Sequence, residues 1–152
     1  MKAISELKIA ITNDHAGFEL KQAIVEYLKK QKPLYFHDFG CQSPESCDYP
    51  DFAHPMAEAI EKGEIDFGIS ICGSGNGISM VMNKHQGIRA ALCWNEDIAR
   101  LARLHNDANV LSLPARFISQ QEALKMIDAF FSTDFEGGRH KRRIDKIPLK
   151  SL

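Results

Sequence analysis

The 152-residue chain has no apolar run near the roughly 20 residues that a bilayer-spanning helix needs, so no membrane partner is expected. It has almost no net charge: 19 Lys and Arg stand against 20 Asp and Glu, giving −1. That balance argues against a generic nucleic-acid binder, and the aromatic interleaving of a single-strand binding face is also missing. Four cysteines, Cys41, Cys47, Cys72 and Cys93, match no zinc spacing. No metal is expected, and a reducing cytosol would leave them as thiols. Ordinary packing is the expectation for Cys41, Cys47 and Cys93. The opening residues, MKAISELKIAITND, have no signal-peptide layout, so a cytoplasmic location is the default. No repeat, low-complexity block or linker divides the chain. With 44% hydrophobic and 26% charged residues, it reads as one domain over residues 1–152.

What is present centres on IDFGISICGSGNGISMVMNK, residues 65–84. Ile65, Phe67, Ile69 and Ile71 alternate with smaller or polar residues, as in a buried strand, and the run ends at Cys72. Gly73, Gly75 and Gly77 follow, with Ser74 and Asn76 between them. Such glycines let the chain turn sharply and let a ligand approach the amides. The amides open a helix near Ile78, where unpaired donors and the helix dipole favour an anion. A thiol there can be stabilised as thiolate, which makes it a candidate base or nucleophile. The loop is not a Walker A motif, since no Gly-Lys-Ser/Thr follows. It fails the dinucleotide fingerprint, since Ile78 stands where the last glycine belongs. Cysteine phosphatase chemistry needs an arginine at that end of the loop, and Ile78 again stands in its place. A thiol beside a nest of amides remains. It suits removal of a proton next to a carbonyl, with the amides holding the enediolate. The same pattern also suits a buried cysteine before a tight turn that binds nothing.

Around this stretch, strands and helices alternate. Strands are predicted over 7–12, 34–39, 88–93 and 109–113, besides the central one. Helices are predicted after Gly17, over about 54–62, from about Ile78, over about 96–105, and after Ser119, where Ser-Gln-Gln-Glu reads as a capping box. Residues 41–51, including Asp48-Tyr49-Pro50-Asp51, read as a loop. The tail after Gly137-Gly138 is basic. This alternation predicts an α/β fold, a Rossmann-like three-layer sandwich with a five-stranded parallel sheet flanked by helices. The predicted strand order is 2-1-3-4-5, which sets Asp14-His15 beside Cys72–Gly77 at the carboxyl ends of strands 1 and 3.

Three further groups carry potential chemistry. Asp14 and His15 suit sugar-hydroxyl or anion recognition, and Asp14 equally suits a helix cap. His105-Asn106 ends the stripe Ile98, Leu101, Ala102, His105, which suits either an acid-base group or a packed histidine. Arg116 with Arg139 and Arg143 could grip a phosphate through guanidinium forks. The last two, four residues apart, would share a helix face or belong to a solvated tail.

Together these pieces resemble the ribose-5-phosphate isomerase B and galactose-6-phosphate isomerase family. The matching segments are TNDHAGFELK, DYP, ICGSGNGIS, NKHQGIRA, RLHNDANVL and FEGGRH, in order from residue 10 to about 143. The resemblance implies aldose-ketose interconversion of a sugar phosphate, a step of the pentose phosphate pathway, with no cofactor or metal. It implies a homodimer, or a dimer of dimers, with a site shared between subunits and the tail from about 137 contributing to it. By resemblance, Cys72 moves the proton between C1 and C2, Ser74 assists, and the amides of Gly73, Gly75, Asn76 and Gly77 hold the anion. His105 opens the furanose ring, and Asp14 contacts sugar oxygens. His15, Arg116, Arg139 and Arg143 contact phosphate and substrate, while Tyr49 and Asn106 line the sugar. Ser74 stands where threonine is frequent, a change that keeps the hydroxyl.

Two other readings stay open on sequence. One is an isomerase of a six-carbon 6-phosphate sugar, of allose or galactose. The other is a non-catalytic phosphate- or nucleotide-sensing module, which would use the glycine loop and arginines but need neither Cys72 nor His105.

Overall fold

The computed structural model describes residues 1–150. Its parallel sheet has strands β1 (Lys8–Asn13), β2 (Tyr35–Asp38), β3 (Phe67–Cys72), β4 (Ala90–Leu92) and β5 (Val110–Pro114). The helices are α1 (Phe18–Lys30), α2 (Tyr49–Glu61), α3 (Asn76–Met82), α4 (Glu96–Asn106), α5 (Gln120–Ser132) and α6 (Arg139–Ile144). The Ser119 capping box is present: Glu122 N donates to Ser119 Oγ and Ser119 N to Glu122 Oε2.

Strand alternation divides the core. Ile9 and Ile11, Ile69 and Ile71, and Leu111 and Leu113 pack with Ile24 and Leu28 of α1 and with Met126, Ile127 and Phe130 of α5. The opposite face carries smaller side chains. Ala10, Cys72 and Val110 meet Met56 and Ile60 of α2 and Ile78 and Met82 of α3. Close approach explains the small residues. A Cβ on Gly68 would come within 2.7 Å of the Met56 methyl. The polar residues on this face are satisfied: Ser70 and Ser112 share a 2.7 Å hydrogen bond, and Thr12 Oγ1 donates to Phe52 O at 2.6 Å.

The strand order is β2-β1-β3-β5-β4, so the expected 2-1-3-4-5 is corrected at its last two places. β5 pairs with β3 along Gly68–Val110 to Cys72–Pro114, and β4 takes the edge. Burial explains the exchange. All five residues of β5 are buried, whereas the three of β4 are half-exposed. Arg89, just before β4, reaches the carbonyls of Asn106 and Asp107 at the open rim. A fully apolar strand gains more from the inner slot than a short one preceded by a charge.

Two other expectations change. α2 starts at Tyr49, not near His54, because Asp48 is its N-cap residue and Pro50 occupies the first turn, where a missing N–H costs nothing. On α4 the buried residues are Ala99, Ala102 and Arg103, while Leu101 is exposed. The Arg103 guanidinium lies 4.8 Å from the Phe67 ring centre and donates to Asp107 and Ala108 O. A charged residue thus holds a place that hydrophobic periodicity would assign to an apolar one.

Candidate active site

The carboxyl ends of β1, β3 and β5 meet at one rim. Asn13 pairs with Ile71, and Cys72 with Pro114. The ladder continues into the loops: Asp14 N donates to Ile71 O, Ala115 N to Cys72 O and Arg116 N to Gly73 O. These bonds seat three sequence-distant segments against one another. A cavity of about 530 Å³ opens there, lined by Asp14, His15, Tyr49, Cys72, Gly73, Ser74, Gly77, Arg116 and Phe117. Phe117 was not anticipated. It is 75% exposed beside Arg116, and its only sequence signal was its place after a strand end.

Cys72 is nearly buried at the cavity floor. Behind it the chain turns through Gly75, whose φ of +75° is the left-handed conformation that glycine adopts freely. A Cβ there would also stand 2.4 Å from Leu92 Cδ1. Gly73 lets Arg116 lie close, since an added Cβ would meet its guanidinium at 3.2 Å. Gly77 does the same for Tyr49, whose ring carbon Cζ would be 2.6 Å away. In the first turn of α3, Asn76 N donates to Ser74 Oγ and Ser79 N to Gly75 O. The first-turn amides of Gly77 and Ile78 face no carbonyl one turn back within the helix.

Asp14 serves as a cap: its Oδ1 accepts from Ala16 N at 2.9 Å and Gly17 N at 3.2 Å. A carboxylate held this way keeps its second oxygen for a ligand. His15 Nδ1 accepts from Cys47 N at 3.2 Å. In the neutral ring that bond puts the proton on Nε2 and makes it a donor. Cys47, expected as mere packing, thus belongs to the segment that orients His15. Cys41 and Cys93 are buried. Burial pushes the Cys93 thiol up to about 12, and burial likewise raises Cys41.

His105, Asn106, Arg139 and Arg143 are not at this cavity. Because α4 runs back along the sheet, His105 and Asn106 stand near the start of β5, whereas Cys72 pairs with its end. At about 3.3 Å per residue the five residues of β5 separate them by roughly 15 Å. Asn106 instead borders a second hollow of about 550 Å³ with Arg89 and Leu149. Arg139 and Arg143 are exposed on α6, which packs on α4.

His105 has company that the sequence did not announce. Its ring stacks on that of His140, with centroids 4.2 Å apart and planes 13° from parallel. Glu136 Oε2 is 3.7 Å from His105 Nε2 and 3.4 Å from His140 Nε2. The three offer ligand atoms within 4.8 Å of one another, but parallel rings do not aim their in-plane nitrogens at one point. An ion midway would stand about 2 Å off each ring plane, as far as a whole zinc–nitrogen bond. The arrangement therefore does not suit a metal ion.

Residues 9–147 match the model of the family described as Ribose/Galactose Isomerase. The chain belongs to the ribose/galactose isomerase family. A relative in this family, a probable ribose-5-phosphate isomerase B of Mycoplasma genitalium, is 45% identical over 147 residues, covering 91% of this chain and 92% of its own. Among solved structures, a ribose 5-phosphate isomerase of Thermotoga maritima is 51% identical with a TM-score of 0.91, covering 93% of this chain and 97% of its own. A Mycoplasma genitalium ribose-5-phosphate isomerase B, solved with bound ribulose-5-phosphate, is 46% identical with a TM-score of 0.88, covering 91% and 92%. The α/β Rossmann-like architecture is thus that of other isomerases in the family. Among the described residues no helix is long and apolar enough to cross a membrane.

Proposed function

We propose that this protein interconverts D-ribose 5-phosphate and D-ribulose 5-phosphate, with Cys72 as the base. The observation that supports the reading most is the placement of Cys72 at the floor of a cavity whose rim carries His15, Asp14 and Arg116. In an opened aldose the carbonyl makes the C2 proton acidic. The Cys72 thiolate takes that proton and returns it to C1, passing through an enediolate. The negative oxygens fall beside Ser74 and the amides of the glycine loop, donors already in place when charge develops. Arg116 and His15 donate to the remote phosphate, and Tyr49 walls the sugar. Binding energy from the phosphate end holds the reacting carbons against the thiol.

The substrate is a closed furanose, so an acid must open it, and the cavity's own chain brings no His105 there. We propose that a second copy supplies His105, Asn106, Arg139 and Arg143, making the working unit a homodimer with two shared sites. The requirement is geometric, since these residues stand at the opposite rim of the same sheet.

Cys72→Ala should retain sugar-phosphate binding by calorimetry and lose about 100-fold or more in kcat. Full turnover by that variant overturns the thiol-base role. A panel of five- and six-carbon aldose phosphates tests the substrate, and preference for ribose 5-phosphate is the expected result.

A further inference from the structure

His105, Glu136 and His140 form a compact group at the end of α4. His105 is half-exposed, while the His140 side chain beneath it is only 8% exposed. His140 Nε2 makes no hydrogen bond among the described residues. Both Nε2 atoms face the same oxygen of Glu136. The Glu136 backbone is anchored next door to His105, because its N donates to Leu104 O at 3.0 Å. Gly137 and Gly138 then take φ of +73° and +56°, turning the chain so that α6 sets His140 against His105.

The charges allow one proton on this pair rather than two. Arg139 and Arg143 come from α6, and Glu136 is the carboxylate facing both rings. Two imidazolium rings stacked at 4.2 Å would repel each other and both guanidinium groups. Burial, then His105, Arg139 and Arg143, hold the His140 imidazole below its ordinary range against the opposing pull of Glu136. With His140 held neutral, the exposed ring, His105, is the one left to exchange a proton across from Glu136.

We propose that Glu136 is a positioning residue for ring opening: it holds His105 as the proton-bearing partner of the stacked pair. The inference rests on the proposed isomerase reading. In the step it serves, imidazolium His105 gives its proton to the ring oxygen as the C1–O4 bond breaks. The electron pair of the O1–H bond forms the C1 carbonyl, and that proton passes to water. Charge and atoms balance with solvent as the only co-reactant. The C1/C2 transfer at Cys72 comes afterwards and does not need Glu136.

Ribulose 5-phosphate separates the two steps, because its C5 oxygen is phosphorylated and it cannot close to a furanose. In heavy water, exchange of its C1 hydrogen needs only the thiol. Glu136→Gln should lower kcat on ribose 5-phosphate about ten-fold or more, with KM nearly unchanged. Deuterium entry at C1 of ribulose 5-phosphate should stay near wild type, and Glu136→Asp should recover part of the lost turnover. Exchange that falls in step with turnover, or turnover that does not fall, overturns the inference. Wild-type protein that does not interconvert ribose 5-phosphate and ribulose 5-phosphate overturns the isomerase reading itself.

Discussion

At the scale of single residues, the site is made by what is missing from side chains as much as by what they carry. Gly77 has no Cβ because the Tyr49 ring occupies the space. Gly77→Ala pushes that ring aside, and Tyr49 is exposed enough to move. Helix propensity favours alanine by up to about 1 kcal/mol, so stability should hold in urea titrations. The KM for sugar phosphate should rise about five-fold, near 1 kcal/mol of lost binding. His140 gives a pH prediction. Its folded-state pKa lies below the ordinary 6.5, so the unfolded chain binds more protons as pH falls. The stability that neutral His140 contributes is present above 6.5 and is lost as pH falls through its depressed folded value. Denaturation midpoints of wild type should therefore drop as pH falls below 6.5, and His140→Asn should flatten that slope. An unchanged slope would contradict the depressed pKa.

At the scale of elements, local chemistry sets the boundaries and long-range contact sets the faces. The α5 start is local: the reciprocal Ser119–Glu122 bonds close it. Ser119 is exposed, so Ser119→Ala tests the cap with little disturbance of packing. The expected loss is ~1 kcal/mol, seen as a lower urea midpoint at constant m-value. The α4 face is not local. Ile98, Leu101, Ala102 and His105 share a stripe in sequence, yet Arg103 takes a buried place because Phe67, Phe130, Asp107 and Ala108 O receive its guanidinium together. Phe67 lies on β3 and Phe130 on α5, so periodicity along α4 could not reveal these two partners. The α2 start differs from expectation for the opposite reason: Asp48-Tyr49-Pro50 carries turn residues that also start a helix.

At the scale of the whole molecule, the two halves of the proposed machinery stand at opposite rims of one sheet. A shared site predicts complementation. Cys72→Ala and His105→Asn proteins should each be nearly inactive. Unfolded together and refolded in equal amounts, they should recover about a quarter of wild-type activity, since half the dimers are mixed and each mixed dimer holds one intact site. No recovery, with dimers present by sedimentation, would argue for a site complete in one chain.

The alternation of strands and helices, the cysteine before its glycine turn and the nearness of Asp14-His15 to Cys72 were legible in the sequence. Each rests on short-range periodicity, or on the rule that neighbouring parallel strands bring their carboxyl ends together. The exchange of β5 and β4 was decided by burial across the full sheet, a competition between two apolar segments that neither settles alone. The pairing of Glu136 and His140 with His105 was likewise a tertiary decision. It depends on where a glycine turn aims a short helix against the end of α4, a contact between segments more than 30 residues apart.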